Sequence, residues 1–401
     1  MTGRRARAAA GLAVAGALLA AAAPPAAAAP APTAPATAVP PPLIAQTRPD
    51  VQRNGCVKPS ERPADTAGWA QAALRPEEAW SLSRGAGVTV AVVGSGVDAA
   101  QPSLSGRLRL GPRLVGAGDA GRDCVGYGTF AAALVAGRRT GDAGPAGLAP
   151  EARVLAVAVT DDAGATTPDL LGGGIRAAVD GGARVIAVEV PVPGPSDALG
   201  DAVAYAAAHG ALILAPAAPD GRSSSAPVFP ASYPGVLAVA STGPNGPSGG
   251  GPGGRVDLAA PGELVTGTGP GGGLFTASGP GCATAYAAGT AALVLALRPE
   301  LTAEQLTRRL EATAYHPGTR LPDAAVGFGV VDPVAAVTGS WPEAARSDVS
   351  GDPVLVGPGP DRSEAWRALA VAGTSTGVVL LVGFGALTAR VGRRRTERAA
   401  G

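Results

Sequence analysis

The chain has few aromatic residues, almost no net charge and few of the side chains that build metal sites or disulfide scaffolds. Aromatic residues make up 3% of its 401 residues and the formal net charge is +1. A nucleic-acid-binding surface, normally a clustered basic face, is therefore not expected. Its three cysteines are too few for a disulfide scaffold and lack metal-site spacing, so neither a metal nor another cofactor is implied. A mechanism that needs an imidazole must use His209 or His316, the two histidines of the sequence.

Glycine and proline, in contrast, are abundant. The 60 glycines and 39 prolines predict plentiful loops and linkers. Hydrophobic residues still make up 46% of the chain, and runs of Val, Leu, Ile and Ala recur between the glycines. Such runs argue against wholesale disorder. The length suits one large domain or two small ones.

The N-terminus has the three-part pattern of a secretory signal peptide, predicted over residues 1–29. Arg4, Arg5 and Arg7 form a basic region, an Ala/Leu/Val run follows, and small residues end the segment. A low-complexity alanine tail is the alternative. The Pro/Ala-rich residues 30–55 predict an extended N-terminal segment with little structure of its own.

The C-terminus predicts a membrane anchor. Residues 368–389 are uncharged and rich in Val, Leu, Gly and Ala, and about 20 apolar residues span a bilayer. The arginine-rich residues 390–401 follow, and the positive-inside rule keeps this tail cytoplasmic. Residues 342–367 are interpreted as a linker. A buried core helix is the alternative, but it would seldom end in an arginine cluster. We therefore expect a single-pass protein of the cell membrane, with its folded body outside.

The body, about residues 56–341, predicts an α/β fold. Short β-branched runs alternate with alanine-rich stretches, and continuous apolar strands between helices indicate a parallel sheet buried on both faces. Thr302 and Gln305 predict a capping box at the start of a late helix. Strands are predicted to begin near Val88, Ala152, Ala183, Ala211 and Gly235, with helices over residues 170–182 and 196–210. One doubly wound domain is the economical interpretation.

Six sequence blocks carry a resemblance to a known family. They are GWAQAALRPEEAWSLSRGAGVTVAVVGSGVD from Gly68, DCVGYGT from Asp123, FPASYPGVLAVAST from Phe229, RVDLAAPG from Arg255, AYAAGTAALVLALRPELTAEQL from Ala285 and VGFGVVDPVAAV from Val326. In this order they resemble the subtilisin-like serine proteases. Within that family they resemble the mycosins, membrane-anchored proteases associated with type VII secretion in actinobacteria. The resemblance implies a subtilisin-like fold, a doubly wound parallel sheet flanked by helices.

The family's chemistry is a Ser-His-Asp triad, which the chain order presents as Asp, His and Ser. The resemblance places the aspartate at Gly94, the histidine at Tyr127 and the serine at Gly281. The oxyanion-hole asparagine falls at about Pro219, which offers neither an amide side chain nor a backbone N–H. A phenol with a pKa near 10 is a poor base at neutral pH. The resemblance therefore implies that no catalytic residue is intact.

Other side chains are candidates to replace the missing catalytic groups. Cys282 adjoins the serine position, but a thiol nucleophile needs a base or a positive neighbour, and a small core thiol is the simpler interpretation. Asp98 reads as a turn carboxylate. Glu189 falls where the family's substrate-lining strand carries a small polar residue, so it either alters the groove or is an exposed surface carboxylate. His209 and His316 occupy no motif position.

The resemblance also implies a disulfide. Mycosins pair a cysteine of the N-terminal extension with one that precedes the histidine motif, here Cys56 with Cys124, and an extracellular location permits oxidation. Cys282 is expected to stay reduced.

Three functions remain open at this point. The first is a non-catalytic scaffold or peptide-binding module, with type VII secretion membrane components or peptide segments as partners. The second is an active endopeptidase of the serine-type family, or a hydrolase with displaced chemistry in which Cys282 is the nucleophile. The third is an extracellular protein without a link to secretion. In each case Gly94, Tyr127 and Gly281 are expected to cluster at the C-terminal edge of the sheet.

Overall fold

The computed structural model of the chain describes residues 40–139, 141–219, 226–247, 254–316 and 321–339. The predicted signal peptide, linker, membrane helix and basic tail all lie outside these residues. One described helix, Pro280–Leu297, is long and apolar enough to cross a membrane, but 89% of it is buried inside the domain. It is a core helix.

Strands and short helices alternate along the chain. The strands are β1 Leu43–Ile44, β2 Thr89–Gly94, β3 Leu108–Arg113, β4 Arg153–Ala158, β5 Val185–Val188, β6 Leu212–Pro216, β7 Val236–Gly243, β8 Gly246–Pro247, β9 Leu258–Pro261, β10 Val265–Thr268 and β11 Leu274–Ala277. The helices are α1 Val51–Asn54, α2 Trp69–Leu74, α3 Pro76–Trp80, α4 Tyr127–Ala136, α5 Pro168–Asp180, α6 Asp197–Ala208, α7 Pro280–Leu297, α8 Ala303–Thr313 and α9 Pro333–Thr338. All five predicted strands and both predicted helices are present, with boundaries shifted by one to two residues.

The main sheet has the order β3-β4-β2-β5-β6-β7-β8, and β9 pairs with β7. Every pairing is parallel except the short one between β7 and β8. From the central β2 the chain moves to one side of the sheet and then returns to build the other side beside β5. The predicted doubly wound α/β fold is confirmed. In such sheets the crevice for ligands opens at the carboxyl ends of the strands where the winding reverses, here between β2 and β5.

Both faces of the sheet are covered. Val90 and Val92 of β2 point into the core that contains α4 and α7, whereas Ala91 and Val93 point into the core that contains α5 and α6. This alternation follows from the period of two in a strand. It explains why the strands read as continuous apolar runs.

A smaller sheet has the order β1-β11-β10. Its first strand belongs to the N-terminal extension, and Leu43 and Ile44 pair in parallel with Thr276 and Ala277 of β11. The extension then reaches the predicted disulfide. Cys56 and Cys124 are joined, with a sequence separation of 68 residues. This part of the extension is therefore held against the domain at two places.

The predicted capping box is also confirmed. The Thr302 hydroxyl accepts a hydrogen bond from the backbone N–H of Gln305 at 3.2 Å, and the Gln305 side-chain oxygen accepts one from the Thr302 N–H at 2.9 Å. Two amides of the first turn of α8 that would otherwise lack partners are thereby satisfied.

Replacing the capping residue, Thr302→Ala, is expected to lower the free energy of unfolding by about 1 kcal/mol. The matched control is Thr307→Ala in the interior of α8, where alanine is the better helix former and stability should hold or rise slightly. Urea denaturation of both variants measures the difference. Equal effects at the two threonines would contradict the capping role.

Candidate active-site cleft

The site begins where β2 and β5 end side by side. Gly94 is the last residue of β2, and Glu189 directly follows β5. The Glu189 N–H donates to the Val93 carbonyl at 3.0 Å, which extends the parallel ladder by one residue. The sheet therefore places Glu189 beside Gly94, at the crevice that the topology predicts.

Glu189 fills the space that a side chain at Gly94 would need. A Cβ built on Gly94 would lie 3.0 Å from the Glu189 Cβ and 3.2 Å from its Cγ. Glu189 is 0% exposed, so the expectation of an exposed surface carboxylate was wrong. Its strand is covered on both faces, and the missing side chain at Gly94 leaves room for the glutamate stem inside the domain.

Tyr127 and Gly281 meet on the other side of the same crevice. Tyr127 is the first residue of α4, and Gly281 lies in the first turn of α7. A Cβ built on Gly281 would lie 2.7 Å from Tyr127 Oη, 2.8 Å from its Cε1 and 3.0 Å from the backbone oxygen of Glu189. Tyr127 and Gly281 are thus in contact, and Glu189 joins both of them to Gly94.

The Tyr127 phenol binds the start of α7. Its oxygen accepts a hydrogen bond from the backbone N–H of Cys282 at 3.1 Å and lies 3.4 Å from the Cys282 Sγ. The same N–H also donates to the Gly279 carbonyl at 3.1 Å, so the phenol shares this donor with the residue before the helix. Tyr127 is 1% exposed. The phenol therefore acts as a packed structural contact in the position that the resemblance assigns to a histidine.

Cys282 is buried behind this contact. Its side chain is 0% exposed and takes no part in the disulfide. His209 is exposed at the end of α6, where its Nδ1 lies 2.8 Å from the Tyr205 carbonyl. His316 is exposed as well. Neither imidazole belongs to the buried group of residues around Cys282.

Asp98 is a turn carboxylate, as the sequence predicts. Its oxygens accept hydrogen bonds from the N–H groups of Ala100 at 2.9 Å and Gly271 at 3.0 Å. Pro219 lies half-buried beyond β6, the neighbour of β5. Asp98 and Pro219 both lie shortly after the carboxyl ends of strands, β2 and β6 respectively.

Asp123 is a site residue that sequence reasoning missed. Its buried carboxylate accepts hydrogen bonds from the N–H groups of Gly126 and Thr129 and from the Thr129 hydroxyl, at 2.7–2.8 Å. Burial raises the pKa of the Asp123 carboxyl, and these hydrogen bonds oppose the rise. The carboxylate holds the first turn of α4, and with it Tyr127. The sequence did contain a signal for this contact, the spacing of Asp123 and Thr129 within DCVGYGT.

Gln46 is a second residue that sequence reasoning missed. It lies in the N-terminal extension, is 7% exposed, and its side-chain amide donates to the Glu189 carbonyl. The sequence offered no signal, because the contact joins residues 143 positions apart. Within the described part of the chain, no group of three or more His, Cys, Asp and Glu side chains is arranged to hold a metal ion.

The chain resembles known proteins in both sequence and structure. The Subtilase family profile matches residues 85–329. Mycosin-1 of Mycolicibacterium smegmatis is 34% identical, over 89% of this chain and 92% of that protein. The chain belongs to the subtilase family.

Solved structures place this subtilase beside the mycosins. One reports "a serine protease MycP1, an essential component of the type VII (ESX-1) secretion system"; it is 33% identical, has a TM-score of 0.63, and the match covers 74% of this chain and 99% of that one. The MycP3 protease from the type VII (ESX-3) secretion system is 31% identical with a TM-score of 0.62, over 76% of this chain and 98% of that one. The resemblance to mycosins is confirmed.

Adding one methyl group at the crowded glycine, Gly281→Ala, is expected to lower the free energy of unfolding by roughly 1–3 kcal/mol, because the new Cβ meets Tyr127 and the Glu189 backbone. The penalty should shrink in a Tyr127→His background, where the ring is smaller. Denaturant unfolding of the single and double variants measures the coupling free energy between positions 127 and 281.

Gly200→Ala is the matched control for this helical glycine. Its new Cβ would meet the Tyr233 ring at 3.6 Å, an ordinary contact, so better helix propensity should keep or raise stability. If the cost of Gly281→Ala is the same in both Tyr127 backgrounds, the proposed contact is not the source of the strain.

Proposed function

We propose that this mycosin-like subtilase is catalytically inactive and serves as a scaffold or peptide-binding component linked to type VII secretion. In this proposal, residues 1–29 direct export and residues 368–389 anchor the chain. The subtilase domain, residues 56–341, lies outside the cell, and residues 390–401 form the cytoplasmic tail. The proposal involves no metal or other cofactor.

The observation that carries the proposal is the occupied nucleophile position. The assignment of the family's serine to Gly281 leaves no hydroxyl there, and the Tyr127 phenol fills the adjoining space, 2.7 Å from where a Cβ would be. A peptide carbonyl has neither an attacking atom nor a free volume at this point. Hydrolysis through an acyl intermediate requires both.

The other two triad positions support the same conclusion. At the histidine position, the Tyr127 oxygen is engaged by the Cys282 N–H, and a phenol is a poor base at neutral pH. At the aspartate position, Gly94 has no side chain and the neighbouring Glu189 takes the space. A carboxylate in a triad orients an imidazole, and this cleft has no imidazole to orient.

The expected rate follows from these losses. An enzyme without its triad retains about 10³–10⁴-fold catalysis over water, through its oxyanion hole and substrate binding. Losing an oxyanion donor lowers the rate by a further ~10²–10³, and Pro219 supplies no such donor. Peptide hydrolysis should therefore be close to the uncatalysed background.

A hydrolase that uses Cys282 is the second candidate. In its favour, the thiol adjoins the nucleophile position and lies 3.4 Å from Tyr127 Oη. Against it, the thiol is 0% exposed, and both His209 and His316 are exposed at the surface instead. A thiolate needs a base or a positive neighbour and access to its substrate, so we favour the inactive form.

The link to secretion rests on the relatives. MycP1 is described as an essential component of the type VII (ESX-1) secretion system. By this relation, the proposed partners are membrane components of such a system or peptide segments that pass through it. An extracellular protein that acts apart from secretion is the alternative. Crosslinking in the native membrane, followed by identification of the crosslinked proteins, separates the two.

The proposal predicts that the purified full-length chain does not cleave fluorogenic peptides. The triple variant Gly94→Asp, Tyr127→His, Gly281→Ser should also stay inactive, because Glu189 still occupies the space beside residue 94. Adding Glu189→Ser opens that space and completes the only variant with a physical route to turnover. Its rate should stay low, since Pro219 leaves the oxyanion poorly held.

Variants in which a single triad residue is introduced serve as matched controls. Serine at residue 281 without a histidine has no base, and histidine at residue 127 without the serine has nothing to activate, because the triad works as a unit. Wild-type turnover that survives controls for contaminating serine proteases would refute the inactive role. If Cys282→Ala then abolished that turnover, the thiol mechanism would replace it.

A further inference from the structure

One edge of the main sheet is formed by β3, which pairs with β4 alone among the described strands. Directly before β3, the Arg107 carbonyl accepts a hydrogen bond from the Val154 N–H of β4 at 2.9 Å. Because the backbone groups of successive residues in a strand point to alternate sides, the N–H and C=O groups of Leu108 and Leu110 point away from β4. This edge therefore presents two hydrogen-bond donors and two acceptors on its open side.

The carboxyl half of the same strand is closed to pairing. Pro112 has no N–H to donate, and the register of β3 with β4 is irregular in this half. Pro112 also forms a bridge with Asp119, and the Ala120 N–H donates to the Gly111 carbonyl at 3.0 Å. Prolines, bulges and covering segments keep the edges of natural sheets from pairing with other chains. In β3 these features begin after Leu110, so the amino half of the edge stays available.

A groove of about 640 Å³ lies beside the open half of the edge. Leu108 and Leu110 line it from β3, and Ala99, Pro102 and Leu104 line it from the segment between β2 and β3. Both β3 leucines are half-buried against the core that contains α4 and α7. The groove shares no lining residue with the cleft described above. It offers an apolar surface next to the open backbone groups, which is what the side chains of an added strand require.

Two arginines make the amino end of this edge positive. Arg138 lines the groove and donates to the Ser105 carbonyl at 3.1 Å. The Arg107 Nη1 is buried and has no hydrogen-bond acceptor among the described residues. Burial lowers the pKa of the Arg107 guanidinium, and the neighbouring Arg138 lowers it further. Glu151 also acts on Arg107, but its carboxylate is paired with Arg84 at 2.7 Å. A carboxylate supplied from outside would give the buried donor an acceptor and reduce the repulsion between the two arginines.

We propose that the amino half of the β3 edge is a docking site for an extended, acidic segment of a partner protein. The segment adds one strand to the main sheet beside Leu108 and Leu110, with its apolar side chains in the groove and a carboxylate at Arg107 and Arg138. The backbone hydrogen bonds supply affinity, and the groove and the charge supply selectivity. The inference goes beyond the proposed function, because this surface does not depend on whether the chain hydrolyses peptides.

A synthetic strand tests the charge requirement. The probe is a rhodamine-labelled peptide with the sequence DVTVTVD, which carries a carboxylate at each end and so fits either strand direction. It is titrated with the full-length chain in detergent, and its fluorescence anisotropy is followed. The chain should bind this probe at least about threefold more tightly than the peptide KVTVTVK, and about 1 M salt should reduce the difference. Equal affinity for the two peptides would overturn the proposal.

A charge reversal locates the binding surface. Arg138→Glu should weaken binding of DVTVTVD by about threefold to tenfold, because it replaces an attraction with a repulsion. The matched control is Arg53→Glu, which makes the same change in net charge at an exposed position of α1 and should bind like the wild type. Urea midpoints close to that of the wild type show that both variants fold. If the two variants bind the probe equally, the peptide does not dock at Arg138 and the proposal fails.

Backbone methylation tests strand pairing. In two versions of the probe, N-methyl groups remove the donors from one side of the strand or from the other. Only one version should lose affinity, by about tenfold or more, because a strand added at an edge pairs through one side. Equal losses in the two versions would exclude strand addition.

Hydrogen exchange gives a direct view of the edge. In the free chain, the amides of Leu108 and Leu110 should exchange faster than the amide of Arg109, which points towards β4. Saturating DVTVTVD should slow the exchange of the two leucine amides and leave that of Arg109 unchanged. Residue-resolved exchange of the full-length chain measures all three. Leucine amides whose exchange the bound probe does not slow would overturn the docking site, whatever the outcome of the turnover assay.

Discussion

The contact between the Tyr127 phenol and the first turn of α7 is the constraint on which the rest of the cleft depends. α7 passes through the core and packs against β5, β6, β7 and β9, so its start cannot move without disturbing the sheet. The phenol accepts the Cys282 N–H there, which is possible only because Gly281 lacks a side chain. The Asp123 carboxylate holds the other partner, since it fixes the first turn of α4.

Neighbouring side chains fill the space beside the two glycines of the cleft. Each glycine that the resemblance places at a triad position has a larger neighbour in its space: Glu189 beside Gly94, and Tyr127 beside Gly281. Protein interiors are close-packed, and a void lined by lost side chains lowers stability. The contacts of Glu189 with Gly94 and of Tyr127 with Gly281 therefore keep this part of the domain close-packed. Introducing one triad residue at a time would oppose this packing.

The N-terminal arm, residues 40–57, and the disulfide continue this packing around the cleft. Gln46 covers the end of β5, and the Cys56–Cys124 bond ties the arm to the loop that leads into α4. A tether of this kind stabilises a protein largely by restricting the unfolded chain, by roughly 2–4 kcal/mol in typical cases. The arm, the α4 start and the α7 start thus form one connected unit around Glu189.

The sequence by itself determined the fold of this protein. Continuous apolar strands such as that from Val88, alternating with alanine-rich helices, predict a parallel sheet, because local periodicity reflects burial on both faces. The capping box at Thr302 was predictable for the same reason, because it involves residues only three positions apart in the chain. Family resemblance supplied the disulfide and the positions Gly94, Tyr127 and Gly281, since the motif blocks keep their order and spacing.

Only the tertiary structure decided what fills the cleft. The burial of Glu189 depends on which strand lies beside β5, and strand order is a property of long-range pairing that no local pattern contains. The contact of Gln46 with Glu189 joins residues 143 positions apart, and the glycine at position 164 that admits the arm looks like any other loop glycine in the sequence. Close packing in three dimensions sets these contacts, and a linear pattern does not encode them.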